Sequence, residues 1–215
     1  MTAGTAQQGE TPPRVPYAEH VEIPPGKLAA IVTALEMFAP PARGGEREAG
    51  NLRLSHTPRP ELGRYRELYR RVGESWLWFS RLRMKDEHLR AILEDPHVEV
   101  HIVREGSEDA GLLELDFGDA ESCELAFFGL MPRLVGKGAG RWLMNRALEI
   151  AWSRPIKRFW VHTCTLDHPH ALAFYIRSGF HPFERYVEIV DDPRLDGTLP
   201  RDAAPQFPVI DERSG

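Results

Sequence analysis

The sequence predicts a mixed α/β fold in which a central, mostly antiparallel sheet is flanked by helices. Three apolar runs alternate with period two between residues 98 and 127 and are separated by turn residues, which indicates an antiparallel meander. A glycine-rich segment at 136–140 then opens an amphipathic helix. A strand, a helix and a last strand follow as far as residue 190, so we expect the strands to extend the sheet and the helices to pack on it.

Periodicity and punctuation define the individual elements. Helical spacing predicts helices over 60–72 and 86–93, the second capped by Asp86, and another over 169–178. The helix after the glycines should bury four apolar residues, namely Leu143, Ala147, Ile150 and Ala151. In the third meander strand we expect Cys123, Leu125 and Phe127 on one face. Two more strands are predicted over 158–163 and 183–190.

The ends of the chain are expected to lie outside the main domain, which we assign to residues 51–190. Residues 1–15 are polar and rich in proline and glycine, so we expect them to be disordered. Residues 16–50 form an extension whose apolar run 28–38 could be helix or strand, and β-branched residues there favour strand. Residues 191–215 are predicted to form an irregular tail that docks on the domain.

Composition narrows the class of function. The formal net charge of −5 and the lack of a basic stripe argue against a nucleic-acid partner. Apolar runs are shorter than the roughly 18 residues of a membrane span, and the first residues carry no signal pattern, so we expect a cytoplasmic protein without a membrane partner. Cys123 and Cys164 are expected to be buried thiols. An oligomer is compatible with the sequence but is not specified by it.

The three alternate glycines Gly136, Gly138 and Gly140 are the most informative feature. Glycine permits positive φ, so backbone N–H groups can approach a ligand closely, and the helix that follows directs its positive dipole end to the same point. Lys137 and Arg141 add cationic donors, which favours a phosphate ligand, although the segment could also be a plain turn. A P-loop would need Ser or Thr after its lysine, and a dinucleotide site would need G-x-G-x-x-G. This segment has neither feature, so both kinds of site are disfavoured.

Residues 135–140 resemble the acyl-CoA signature Q/R-x-x-G-x-G/A of the GNAT acetyltransferase superfamily, with Val135 in place of Gln or Arg and Arg133 near enough to replace it. Residues 168–180, HPHALAFYIRSGF, resemble the family's N-x-x-A-x-x-x-Y-x-x-x-G-F run, with His168 in place of Asn. The resemblance implies a sheet splayed beside the glycines, acetyl-CoA as acyl donor and an amine acceptor. It assigns cofactor binding to Leu130, Arg133, Val135, Gly136, Lys137, Gly138, Ala139, Gly140, Arg141 and His168.

Acetyl transfer to an amine requires a base, an oxyanion donor and an acid. Tyr175 matches the family's acid, because a phenol can protonate a leaving thiolate. Glu124 is the first candidate for the base, since it lies on the strand that leads to the glycines, and Glu114 and Asp116 are alternatives on the neighbouring strand. An outward-facing structural role for Glu124 is equally compatible. The oxyanion would bind an N–H near Leu130, where Gly129 suggests a bulge.

A dense aromatic cluster lies between the first two helices. In the family this connection lines the acceptor site, so Trp76, Trp78 and Phe79 could form a wall for a cationic or planar acceptor, with Glu74 nearby. Packing of the two helices against the sheet is the alternative explanation for the same residues. Glu114 and Asp116 are further candidates for contact with the acceptor.

Other functions are compatible with the same residues. A covalent route through Cys123 or Cys164 is disfavoured because no base is placed beside Cys123. The residues His162, Cys164, Asp167, His168 and His170 suggest a metal, although we expect His168 and His170 to cap a helix or contact the cofactor, and no metal is predicted. A non-catalytic acyl-CoA sensor, another acyl group and a hydroxyl acceptor remain alternatives.

Overall fold

The computed structural model of the 215-residue chain describes residues 20–41 and 50–211. The predictions for residues 1–15, and for most of the loop before residue 50, lie outside the described residues. The described part comprises seven strands, five α-helices and two 3₁₀ turns. In chain order these are β1 Lys27–Met37, β2 Leu52–His56, α1 Leu62–Gly73, a 3₁₀ turn Glu74–Trp76, α2 Ser80–Arg83, α3 Asp86–Glu94, β3 Val98–Glu105, β4 Glu108–Asp116, β5 Ser122–Leu130, a second 3₁₀ turn Pro132–Leu134, α4 Ala139–Ala151, β6 Arg158–Cys164, α5 Ala171–Arg177 and β7 His181–Asp191.

The strands form one sheet in the order β2-β3-β4-β5-β6-β1-β7. Five of its pairings are antiparallel, and β5 with β6 is the parallel one. The predicted mixed, mostly antiparallel sheet flanked by helices is therefore confirmed. Two features were not predicted: β2 extends the meander by one strand, and β1, the first strand in the sequence, lies between β6 and β7.

Helices cover both faces of the sheet. On one face α4 buries Leu143, Met144, Ala147 and Ala151 against β4, β5 and β6, while Ile150 is only partly buried. On the other face α1 packs Tyr65, Leu68 and Tyr69 against β3 and β4. The period of apolar residues thus predicted the buried face of each helix, with Ile150 at its margin. Within the described residues, no helix is long and apolar enough to cross a membrane.

The β5 strand contains a bulge that the sequence did not reveal. Glu114 of β4 pairs with Phe127, but the next residue, Leu115, pairs with Leu125, so Ala126 is the extra residue. The bulge turns Phe127 to the face opposite Cys123 and Leu125, where it packs with α1. The expectation that all three residues share one face was wrong, because strand alternation is interrupted between them.

Gly129 is not at a bulge, contrary to expectation. It pairs regularly with Leu112 of β4. A Cβ atom there would lie 2.3 Å from Cγ1 of Val72 and 2.9 Å from Cη2 of Trp78. Glycine is therefore needed at this position because α1 and the Trp78 ring approach the strand closely.

The segment after β7 has no helix or strand up to residue 211 and packs on the α1 side of the sheet. Leu199, Ala203 and Ala204 are buried against Ala30 of β1 and Leu77. The buried guanidinium of Arg194 donates to both carboxylate oxygens of Asp192 and to the carbonyls of Ala203 and Phe207, which fixes the segment.

At the start of α3, Asp86 is the first helical residue and not the predicted cap, and its carboxylate pairs with Arg66.

Candidate active site

A gap opens between β5 and β6. The two strands pair only from Ser122 with Arg158 to Glu124 with Trp160, although β5 continues to Leu130 and β6 to Cys164. Beyond Glu124 the facing edges diverge, and the wide end of the gap lies beside the glycine segment. The splay implied by the sequence resemblance is present.

The glycine segment has the geometry of an anion cradle. Gly136 and Gly138 have φ of 79° and 88°, a region of backbone conformation that residues other than glycine rarely adopt. Gly138 is the residue before α4, and its carbonyl accepts the N–H of Trp142, so the N–H groups of Ala139, Gly140 and Arg141 have no partner within the helix. These donors and the positive end of a 13-residue helix face the same point.

The side chains around the cradle differ in their availability. Val135 and Lys137 are exposed. The guanidinium of Arg133 pairs with Glu105 and Glu108 at 2.9 and 3.0 Å, so it would have to leave these carboxylates to contact a phosphate. Arg141 lies over the ring of Phe174 and donates to Ser178 Oγ at 3.2 Å, which ties α4 to the end of α5.

The N–H of Leu130 points into the gap. The N–H of the next residue, Met131, donates to the carbonyl of Ala110 on β4 at 2.9 Å. Successive N–H groups of a strand point to opposite edges, so that of Leu130 faces away from β4, toward β6. It is therefore a donor at the wall of the gap without any bulge at Gly129.

Tyr175 lies beside the gap on α5. Its ring is buried and makes edge contacts with Phe128 of β5 at 6.3 Å and with Phe180 at 5.9 Å between centroids. Burial raises the pKa of Tyr175 above its ordinary value, and the negative charge of Asp167 adds to the shift. The phenol is therefore protonated at neutral pH, as a proton donor must be.

Glu124 forms a pair with His162 where the gap begins. Oε1 of Glu124 is 3.3 Å from Nδ1 of His162, and the two side chains are 24% and 48% exposed, so solvent reaches both. The hydrogen bond to Glu124 raises the pKa of His162, partly opposed by burial and assisted by the charges of Asp167 and Glu188. Both groups lie on the face opposite α4. The dyad can accept and pass on a proton at this point.

Residues 65–180 match the model of the acetyltransferase (GNAT) family, which is more than half of the chain. The chain belongs to the GNAT family. A curated relative named mycothiol acetyltransferase, from Jonesia denitrificans, is 30% identical over 134 residues. The match covers 60% of this chain but 37% of that relative, so the chain spans well under half of the relative's length.

Solved structures agree with the GNAT fold. A GCN5-related N-acetyltransferase from Sphaerobacter thermophilus superimposes with a TM-score of 0.54 at 14% identity, covering 79% of this chain and 53% of that one. The putative GNAT acetyltransferase of Novosphingobium aromaticivorans gives a TM-score of 0.52 at 13% identity, covering 79% and 68%. At these identities the likeness concerns the fold alone.

The two alternative carboxylates lie in different surroundings. The side chain of Glu114 is 1% exposed, and its two oxygens bind Nη2 of Arg81 and the hydroxyl of Tyr65, both at 2.5 Å. Burial and the charge of Glu114 raise the pKa of Tyr65 well above its ordinary value, so this phenol donates to the carboxylate. Asp116 accepts the N–H of Gly118 at the β4–β5 turn, directly across from Glu124 in register.

The aromatic connection between α1 and α2 contacts the loop before α5. Nε1 of Trp78 donates to Asp167 at 3.2 Å, and the ring of Trp76 meets that of His168 edge-on, 4.9 Å between centroids. Trp78 also packs on Phe127 of β5. Phe79 instead lies under the guanidinium of Arg83. The predicted acceptor residue Trp76 and the predicted cofactor residue His168 are thus direct neighbours.

The cysteine and metal alternatives gain no support. Burial raises the pKa of Cys164 to about 11 and raises that of Cys123 further, so neither is a thiolate at neutral pH. Asp167 is occupied by hydrogen bonds from Thr163 Oγ1 and the N–H of Cys164. Nδ1 of His168 accepts the N–H of His170, the residue before α5, and the side chain of His170 makes no capping hydrogen bond.

Sequence reasoning missed two parts of this site. His162 was considered only as a member of a possible metal cluster, and Phe127 was assigned to the opposite face. The one available signal for His162 was its position on the predicted strand after α4. In the structure, His162 lies two residues beyond the point where β5 and β6 separate. That point depends on strand pairing, which residue types do not reveal.

Proposed function

We propose that the protein is an acetyl-CoA-dependent N-acetyltransferase that transfers the acetyl group to a primary amine by direct attack within a ternary complex. The observation that carries the proposal is the single gap between β5 and β6, which has the glycine cradle at its wide end, Tyr175 beside one wall and Glu124 with His162 where it narrows. Membership of the GNAT family supports acyl transfer as the reaction class.

The cofactor would lie in the gap with its diphosphate at the start of α4. The N–H groups of residues 136–141 would bind the phosphate oxygens, and each charge-assisted hydrogen bond contributes about 1.5–3 kcal/mol. Lys137 would add an exposed cation and the exposed Val135 would contact the chain of the coenzyme, whereas Ala139, whose side chain is buried in the core, would contribute its N–H. The acyl carbonyl would accept the N–H of Leu130, which faces the gap and would stabilise the oxyanion as it forms.

Proton transfers at the amine nitrogen and at the leaving sulfur complete the reaction. A primary amine with a pKa of about 10 is mostly protonated at neutral pH, and Glu124 would remove a proton from it directly or through a water, with His162 sharing the charge. The amine nitrogen then attacks the carbonyl carbon, and the carbon–sulfur bond breaks. Tyr175 would deliver its proton to the departing sulfur as the bond breaks, and the second proton that the nitrogen loses as the amide forms would restore the phenol.

The surroundings of the dyad favour a cationic acceptor. Glu124, Asp167 and Glu188 all raise the pKa of His162, which means that this face carries a negative potential. Trp76 and Trp78 lie beside it and offer aromatic surface to a cation. The names of the curated relative and of an aminoglycoside acetyltransferase solved with sisomicin support a small-molecule amine as the substrate class. Glu114, enclosed by Arg81 and Tyr65, is better suited to a structural role.

The test is a thiol-release assay with acetyl-CoA and a panel of small amines. Turnover on an amine, with a product heavier by one acetyl group and loss of turnover in Tyr175→Phe, supports the enzyme. Tight binding of acetyl-CoA without turnover on any amine would instead indicate a cofactor-sensing domain. Mass spectrometry of the product identifies the acceptor atom and excludes an ester if the hydroxyl groups are unmodified.

A further inference from the structure

A cluster of two histidines and a glutamate lies at the β2 edge of the sheet, away from the gap. His56 of β2 is the register partner of His101 of β3, and Glu99 lies two residues before His101 on the same face of β3. One potential ligand atom from each residue lies within 4.8 Å of the others. In the described residues this is the one group of three such side chains.

We propose that His56, Glu99 and His101 form a binding site for a divalent transition-metal ion such as Zn²⁺. Imidazole and carboxylate ligands suit zinc, which binds them at about 2.0–2.2 Å, and tetrahedral geometry then separates neighbouring ligand atoms by about 3.4 Å. Nε2 of His101 is 3.0 Å from Oε2 of Glu99, and the two imidazole rings are stacked 4.8 Å apart between centroids. Small rotations of these side chains would therefore complete the geometry.

The other oxygen of Glu99 is already held in place. Arg154, just beyond the end of α4, donates to Oε1 of Glu99 and stacks on the ring of Phe117 at 3.9 Å. An outer partner of this kind orients a carboxylate ligand while leaving Oε2 for the ion. The ring of His56, in contrast, makes no hydrogen bond within the described residues, and its only ring contact there is His101. No described side chain would therefore have to be displaced for His56 to bind an ion.

Three protein ligands leave a fourth position open. A surface groove of about 560 Å³ adjoins the cluster and is lined in part by His56, Glu99 and Arg154, so water or a small anion can reach the ion. The glycine cradle lies at the other end of α4, whose 13 residues span about 20 Å. The metal would therefore link β2 to β3 and take no part in the acyl-transfer site.

The test is a titration of the full chain, free of any affinity tag, with Zn²⁺ in competition with a chromophoric chelator. We expect one ion per chain and a Kd at least about tenfold weaker in His56→Ala and in Glu99→Gln, because loss of even an outer partner costs 10–100-fold. His56 is exposed, so its replacement leaves the fold intact, which circular dichroism would verify. Zn²⁺ should also raise the Tm of the unsubstituted chain and not that of His56→Ala.

Two matched controls locate the ion. His88 is an exposed histidine on α3, and His170 lies beside His168 in the loop before α5. His88→Ala and His170→Ala should bind Zn²⁺ as the unsubstituted chain does. Equal affinity in His56→Ala and the unsubstituted chain, weaker binding in His170→Ala, or no binding at all would each overturn the proposal.

Discussion

Replacing Gly138 by valine tests the phosphate cradle most directly. The residue has φ of 88°, where a side chain costs about 1–2 kcal/mol. If the backbone keeps this conformation, a branched side chain obstructs the approach of phosphate. If it relaxes to negative φ, the N–H groups at the start of α4 turn away. Either way at least one charge-assisted hydrogen bond is lost, worth about 1.5–3 kcal/mol, so the Kd for coenzyme A should rise by roughly tenfold to a hundredfold.

Gly197 provides a matched control for the backbone strain. It has φ of 80° in the segment after β7, and no atom lies within 4 Å of where its Cβ would be. Gly197→Val should therefore lose about the same 1–2 kcal/mol of unfolding free energy, measured by urea denaturation, without any effect on coenzyme binding.

Isothermal titration calorimetry with coenzyme A, at a temperature where both variants are folded, separates the two effects. The reasoning is refuted if Gly138→Val binds the coenzyme within about threefold of the unsubstituted chain. Equal weakening in Gly197→Val would show that the loss of affinity reports the loss of stability and not the cradle.

Three further predictions concern individual side chains. Tyr175→Phe should lower kcat by roughly 10²–10⁴-fold, because the proton donor is lost. The Kd for coenzyme A and the Tm should stay nearly unchanged. A kcat near that of the unsubstituted protein would exclude Tyr175 as the acid. The hydrogen bond that His162 donates to Glu124 raises the pKa of His162, so Glu124→Gln should return that pKa toward its ordinary value in an NMR titration. The stabilisation from this pair is fully present below the pKa of the unfolded histidine and is lost as the pH rises through the raised pKa of the folded one. Glu114→Ala should lower the free energy of unfolding by about 3–5 kcal/mol, because it leaves the charge of Arg81 buried without its partner. The control Glu121→Ala removes an exposed pair with Lys157 and should lower the free energy of unfolding by at most about 1 kcal/mol. Similar losses for the two variants in urea denaturation would contradict a buried structural role for Glu114.

Local patterns account for the parts of the protein that could be predicted. The alternate glycines required positive φ and a following helix, and both are present at Gly136, Gly138 and α4. The 3.6-residue period identified the buried faces of α1 and α4, because a helix is formed by contacts within one segment. Even where a single run was ambiguous, as in β1, branched side chains pointed to the observed strand.

Long-range pairing accounts for what could not be predicted. Ala126 looks like any other strand residue, yet the register with β4 makes it a bulge and sends Phe127 to the opposite face. Glu124 could equally have been a solvated strand residue until the parallel pairing of β5 with β6 brought His162 beside it. Glu114 belonged to the same polar pattern but is enclosed by Arg81 and Tyr65.

Residue types at short, fixed spacings predicted the fold class, the family and the glycine segment that we propose as the phosphate site. Only strand pairing and packing established which acidic side chain faces the gap, which aromatic rings contact the loop before α5 and how β1 inserts beside β6. Those outcomes depend on strand register and on which faces pack together, and a shift of one residue in register would exchange the two faces of a strand.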